Sequence, residues 1–121
     1  MKKNGFTFIE LLVVITIIAV IFAAGVVSYT TISKNSRNAR RSADMEAIRQ
    51  ALEMCRSIDG EYPAVVYPSV TCPLTTTIVT LKTTPKDPKC ATANYTYTPS
   101  GGGYTLTASC YEGGAKSLTN P

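Results

Sequence analysis

The sequence predicts an α+β chain in which one long N-terminal α-helix, apolar in its first half and amphipathic in its second, packs on a small antiparallel β-sheet. Three observations carry that expectation. Residues 11–33 contain no charged side chain, residues 39–58 are strong helix formers with an apolar stripe, and the last third alternates apolar and polar residues on either side of "PSGGG".

The charge-free run comes first. As an α-helix it is about 35 Å long at about 1.5 Å per residue, enough for a hydrocarbon core of about 30 Å. A soluble domain could not surround such a helix, because only about 60–90 residues of the chain would remain to do so. Residues 28–38, "SYTTISKNSRN", are mostly Ser, Thr and Asn, which compete with helical hydrogen bonding, so this is the weakest helical stretch. Beyond it Ile48, Leu52, Cys55 and Ile58 fall on one face, and Glu53 can pair with Arg49 or Arg56 on the wet face. Gly60 and Pro63 stop the helix, which is expected from about Phe6 to Ile58.

After a loop punctuated by three prolines, "EYPAVVYPSVTCP", the β-branched run 75–82 is expected to be a strand. Residues 94–112 are expected to form a hairpin, with Tyr95 and Tyr97 on one face of its first strand and Tyr104, Leu106 and Ala108 on one face of its second.

Cys55, Cys72, Cys90 and Cys110 include no C-x-x-C pair, and the chain has no histidine, so two disulfides are favoured over a metal site. If Tyr97 lies near Tyr104, extending the hairpin puts Cys90 near Cys110 and leaves Cys55 to meet Cys72. The other two connectivities stay open. Each bridge would close a loop worth about 3 kcal/mol in the chain-entropy description. Lasting disulfides place the chain from about Cys55 onward outside the cytoplasm. The basic residues Lys34, Arg37, Arg40 and Arg41 after the apolar run argue the opposite orientation. The cysteines take precedence, and the basic cluster is expected to be a solvated helix face, or else to meet acidic neighbours or anionic headgroups.

A small, scattered net charge of +4 and the lack of Trp and Phe beyond residue 30 do not suggest nucleic acid binding. No catalytic residues are expected, since there is no histidine, no G-x-S-x-G and no phosphate loop. Neither a cofactor nor a metal is expected. Asp87 and Glu112 are the only carboxylates in the last loops, which makes calcium a poor prospect.

One letter of "GFTFIELLVVITIIAV" is out of place: Glu10 is a carboxylate within an apolar run. A secretory signal peptide cleaved near Ala23 and Gly25, or an ordinary signal anchor, leaves it unexplained. Residues 1–30, with Gly5, Phe6, Thr7 and Glu10 in register after a short basic leader, closely resemble the N-terminus of the type IV pilin and type II secretion pseudopilin superfamily. "EYP" at 61–63 and "PKDP" at 85–88 add a weaker likeness to major pseudopilins.

The resemblance implies a pilin-like fold divided into a leader (residues 1–5), a transmembrane or filament-core half-helix (6–33), an amphipathic half-helix (34–60) and a disulfide-stapled head (61–121). It implies cleavage after Gly5 by a prepilin peptidase that also methylates the new Phe6 amine. It further implies assembly through Phe6 and Glu10 into a helical homo-oligomeric filament by an assembly ATPase and a platform protein. The subunit would wait in the bacterial cytoplasmic membrane as a single-pass protein with its N-terminus inside, and end in a surface or periplasmic filament. Glu10 would neutralise the Phe6 ammonium of its own chain or a neighbour's, or else merely snorkel to the headgroups. Where the family commonly has proline this chain has Val27, so any melting or bending is expected within residues 25–38. The competing expectation is a membrane-tethered or secreted binding module that never polymerises.

Overall fold

The computed structural model describes Met1 and residues 5–120; the leader lysines Lys2 and Lys3 lie outside the described residues. The architecture is α+β and pilin-like in layout. One helix, α1 (Phe8–Asp59), precedes β1 (Val70–Thr71), β2 (Val79–Leu81), β3 (Thr96–Ser100), β4 (Gly103–Ala108) and β5 (Lys116–Asn120). Two compact units divide the chain, Met1–Asn35 and Ser36–Pro121.

In the first unit the apolar side chains of α1 from Phe8 to Val27 have no cover from the rest of the chain. By length and composition the helix can cross a membrane. Its hydroxyl residues stay helical by bonding back to the preceding turn: Thr16 Oγ1 donates to the Val13 carbonyl (2.8 Å), Ser28 Oγ to Ala24 (3.3 Å) and Thr30 Oγ1 to Val27 (3.1 Å). The span 25–38 is thus helical here, with the hydroxyls of Ser28 and Thr30 satisfied inside the helix.

In the second unit Arg41, Met45, Ile48, Leu52 and Cys55 form the buried stripe of α1, with Ala51 beside it. Ile58 is 46% exposed, so the expected stripe ends one turn early, where Cys55 crosses to Cys72. Gly60, at φ 79°, donates its N–H to the Arg56 carbonyl (2.9 Å) and ends the helix in a left-handed cap.

The stripe packs with Val66, Val70, Tyr95, Tyr104, Leu106 and Ala108. Instead of one sheet there are two. β1 pairs antiparallel with β2, and a separate sheet has the order β3-β4-β5. Of the run 75–82 only Val79–Leu81 is a strand, and its partner β1 lies inside the proline-punctuated loop. The third strand of the main sheet is β5, whose polar sequence KSLTN shows little apolar alternation.

The hairpin is tighter than expected. Ser100 pairs with Gly103, leaving Gly101 and Gly102 (φ 41° and 104°) as a two-residue turn that needs left-handed residues at both positions. Tyr97 therefore faces Leu106, and Tyr104 faces Pro99, a two-residue offset that keeps both tyrosines on one face with ring centroids 5.9 Å apart. Burial pushes the Tyr97 hydroxyl up to about 12.

Both expected disulfides are present, with Cα separations of 5.0 Å for Cys55 to Cys72 and 5.6 Å for Cys90 to Cys110. The first is buried in the core and the second lies at its edge. Replacing Cys55 and Cys72 together by serine is expected to cost about 3 kcal/mol for the loop they close, before any packing loss, measured by urea unfolding under oxidising conditions.

Candidate functional site

The N-terminal site is built on the start of α1. Residues 5–7 are not helical, Gly5 and Phe6 are exposed, and nothing lies within 4 Å of a Cβ placed on Gly5. The Gly5–Phe6 bond therefore lies in non-helical, exposed chain just before the helix.

Thr7 and Glu10 form a capping box. The Thr7 backbone N–H and hydroxyl both donate to Glu10 Oε2, at 2.8 and 2.7 Å, and the Glu10 N–H points back at Thr7 Oγ1 at 3.4 Å. Thr7 is the N-cap and Glu10 the third helical residue, so each covers a backbone donor that the first turn leaves open. The acid also lies at the positive end of the helix dipole. "TFIE" therefore gives Glu10 a role inside its own chain, and its signal is the Thr-x-x-Glu spacing before an apolar run. Thr7→Val removes two of these bonds. It is expected to cost about 1 kcal/mol of local helix stability, seen as faster amide exchange over the first turn of α1 in detergent micelles.

A second constellation sits where α1 meets the last loops. Arg41 is 1% exposed and holds Asp87 in a two-pronged pair, Nε to Oδ2 at 2.7 Å and Nη2 to Oδ1 at 3.0 Å. The guanidinium keeps the Asp87 carboxyl below its ordinary range, against the opposing effect of burial. Arg37 pairs with Glu112 (2.6 Å). Asn38 joins both, taking the Glu112 N–H on its Oδ1 (2.9 Å) and giving its amide to the Glu112 carbonyl (2.9 Å), while Arg41 Nη1 reaches the same Oδ1 (3.1 Å). The Cys90–Cys110 bridge ties together the two loops that carry Asp87 and Glu112.

This corrects the expectation of a solvated basic face. Arg37 and Arg41 are helix-to-loop clamps, and among the cluster's residues in this unit Arg40 alone is exposed. It also commits both carboxylates considered for calcium to arginine.

The expected pairing of Glu53 with Arg49 or Arg56 is replaced too. Arg49 pairs with Glu46 (2.8 Å). Glu53 accepts from Tyr62 (3.1 Å), Tyr104 (3.4 Å) and Asn120 (2.5 Å). Arg56 donates to the Gly102 carbonyl and lies 5.0 Å over the Tyr62 ring. Glu46 lies at i,i+3 on the helix itself and Tyr62 just beyond its end, whereas Tyr104 on β4, Asn120 on β5 and Gly102 in the hairpin turn are too far along the chain for helical spacing to reveal.

Among the described residues no group of three or more His, Cys, Asp or Glu side chains could hold a metal ion. The chain matches no curated protein and no solved structure. Residues 1–26 match the family described as the prokaryotic N-terminal methylation motif, so the chain carries the prepilin-type signal of type IV pilins and pseudopilins, which implies a structural protein rather than an enzyme.

Proposed function

We propose that the chain is a structural subunit of a type IV pilus or a type II secretion-like pseudopilus. A prepilin peptidase cuts after Gly5 and methylates the Phe6 amine. An assembly ATPase and a platform protein then move the subunit from the cytoplasmic membrane into a helical filament of identical copies, outside the cell or in the periplasm. The observation that carries this reading is the prepilin-type signal at the head of a helix whose apolar side chains are exposed all round. Such a surface needs lipid before assembly and neighbouring helices afterwards.

In this account the site is substrate and interface together. Gly5 gives the peptidase a bond with no side chain on its N-terminal side. Cleavage turns Phe6 into an ammonium close to Glu10, and in the apolar filament core the carboxylate answers that charge on its own chain or the next, which sets axial register. Residues 25–38 are where a bend or melted turn is proposed to occur in the filament. The unit boundary at Asn35 falls within them, and the clamp, which begins at Arg37 and Asn38 inside the span and continues to Arg41, leaves residues 25–36 as the part it does not hold.

A membrane-tethered module that never polymerises is the second reading. The Thr7–Glu10 capping box favours it, because Glu10 is already satisfied without a neighbour. Electron microscopy of sheared cell-surface fractions separates the possibilities. Long filaments containing the chain support a pilus, while their absence together with a secretion defect on deletion supports a pseudopilus. Absence of both supports the tethered module.

A further inference from the structure

The clamp that buries Arg41 leaves other cations exposed around it. Asp87 is consumed by Arg41 and by the Lys89 backbone N–H (2.9 Å), while the lysines on either side of it, Lys86 and Lys89, point no charge at any carboxylate among the described residues. Arg40, next to Arg41 on α1, is likewise exposed and without an acidic partner.

The loop that carries the lysines is pinned from inside. The Thr84 N–H donates to the Pro68 carbonyl (3.0 Å), the Tyr67 hydroxyl to the Pro85 carbonyl (2.8 Å) and the Asp87 N–H to the Ala93 carbonyl (2.6 Å). The Cys90–Cys110 bridge closes its far end. Buried Thr84 and Asp87 thus alternate with exposed Lys86 and Lys89, which are held outward on a fixed backbone.

In a second copy of this unit most carboxylates are already engaged within their own chain. Its Asp87, Glu112 and Glu46 are taken by arginines, Asp44 by the Tyr95 hydroxyl, Asp59 by Leu74 and Thr75, and Glu53 by Tyr62, Tyr104 and Asn120. Among the described residues only Glu61 is left over. No exposed aromatic residue accompanies the lysines in residues 82–90 to stack on a base, which makes a nucleic acid a poor fit.

Chain connectivity supplies the partner. Arg40 is seven residues beyond Ser33, the end of the charge-free run, so its backbone stays within about 25 Å of that end whatever path the chain takes, and the Arg41–Asp87 pair ties the loop of Lys86 and Lys89 to the same turn of α1. We infer that Arg40, Lys86 and Lys89 form an anionic-phospholipid-binding surface, which meets the headgroups of the membrane while the subunit waits there. The inference rests on the membrane-anchored state proposed above. It gives Arg40, among the basic residues that follow the apolar run, a use on the outer side of the membrane, where loop-charge statistics place fewer of them.

The test uses the full chain, reconstituted in nanodiscs of equal parts phosphatidylcholine and phosphatidylglycerol and released mildly for native mass spectrometry of the lipids it retains. Wild type is compared with Arg40→Gln/Lys86→Gln/Lys89→Gln, which leaves Arg41, Asp87 and both bridges in place. Lys2, Lys3 and Lys34 contribute equally to both proteins. The variant is expected to lose at least about fivefold of the wild-type preference for phosphatidylglycerol, the effect of about one cation at a lipid surface, with the difference fading at high salt. An equal preference in the two proteins, with unfolding midpoints unchanged, overturns the inference and leaves the membrane anchor standing. Failure of wild type to retain either lipid overturns both.

Discussion

Glu10→Ala is expected to enter the membrane and be cleaved after Gly5, yet to form filaments at less than about one hundredth of the normal yield. An ammonium at Phe6 left without its carboxylate in an apolar core costs about 3–5 kcal/mol, which multiplies a subunit-addition constant down by more than about a hundredfold. The capping box complicates a simple reading of this variant, because alanine also removes the acceptor for Thr7. Glu10→Gln separates the two effects. Glutamine can take the same place in a capping box but carries no charge. Filament yield that recovers with glutamine would assign the residue to helix capping; yield that stays as low as with alanine assigns it to charge pairing. Immunoblots of membrane and sheared fractions report insertion, cleavage and assembly separately.

The largest change in stability is expected from Asp87→Ala. Arg41 would be left 1% exposed with no carboxylate opposite, and breaking a buried pair from one side costs about 3–5 kcal/mol. For a head of this size that is a large share of the total. Arg41→Met combined with Asp87→Ala should recover most of the loss, since methionine fills similar volume without a charge to bury. The pair also predicts a pH dependence. Asp87 binds its proton less readily when folded, so its contribution is fully present above the unfolded value of about 4 and is lost as pH falls through the lower folded value. Urea unfolding of the oxidised protein in steps below pH 5 should show that loss in wild type and a flatter acid limb in the double variant.

What the sequence revealed and what it hid follow the range of each interaction. Periodicity located α1 to within two residues at its start and one at its end, because helix signals are local: Ile48, Leu52 and Cys55 repeat on one face and Gly60 stops the helix. The facing of Tyr97 and Tyr104 was legible from hairpin alternation, whereas the favoured disulfide pairing rested on a register that is offset by two residues in the structure. The offset keeps the same face, and residues 91–95 leave the strand so that Cys90 still reaches Cys110. The strand β5 and the clamp of Arg37, Asn38 and Arg41 were not legible. β5 is nearly all polar, and the clamp joins residues 46 to 75 positions apart, a separation at which composition carries no pairing signal. At the N-terminal site the apolar run and Glu10 were plain. The capping role of Thr7 was written in the same four letters and was obscured by the stronger motif around it.

The account depends most on where the mature chain begins. Mass spectrometry of the N-terminal peptide, from protein isolated out of its native membranes or sheared fractions, measures this directly. The account predicts a chain starting at Phe6 with one added methyl group on its amine. A start near Val26, the product of an ordinary signal peptidase, or an uncut Met1 in the assembled fraction would contradict it.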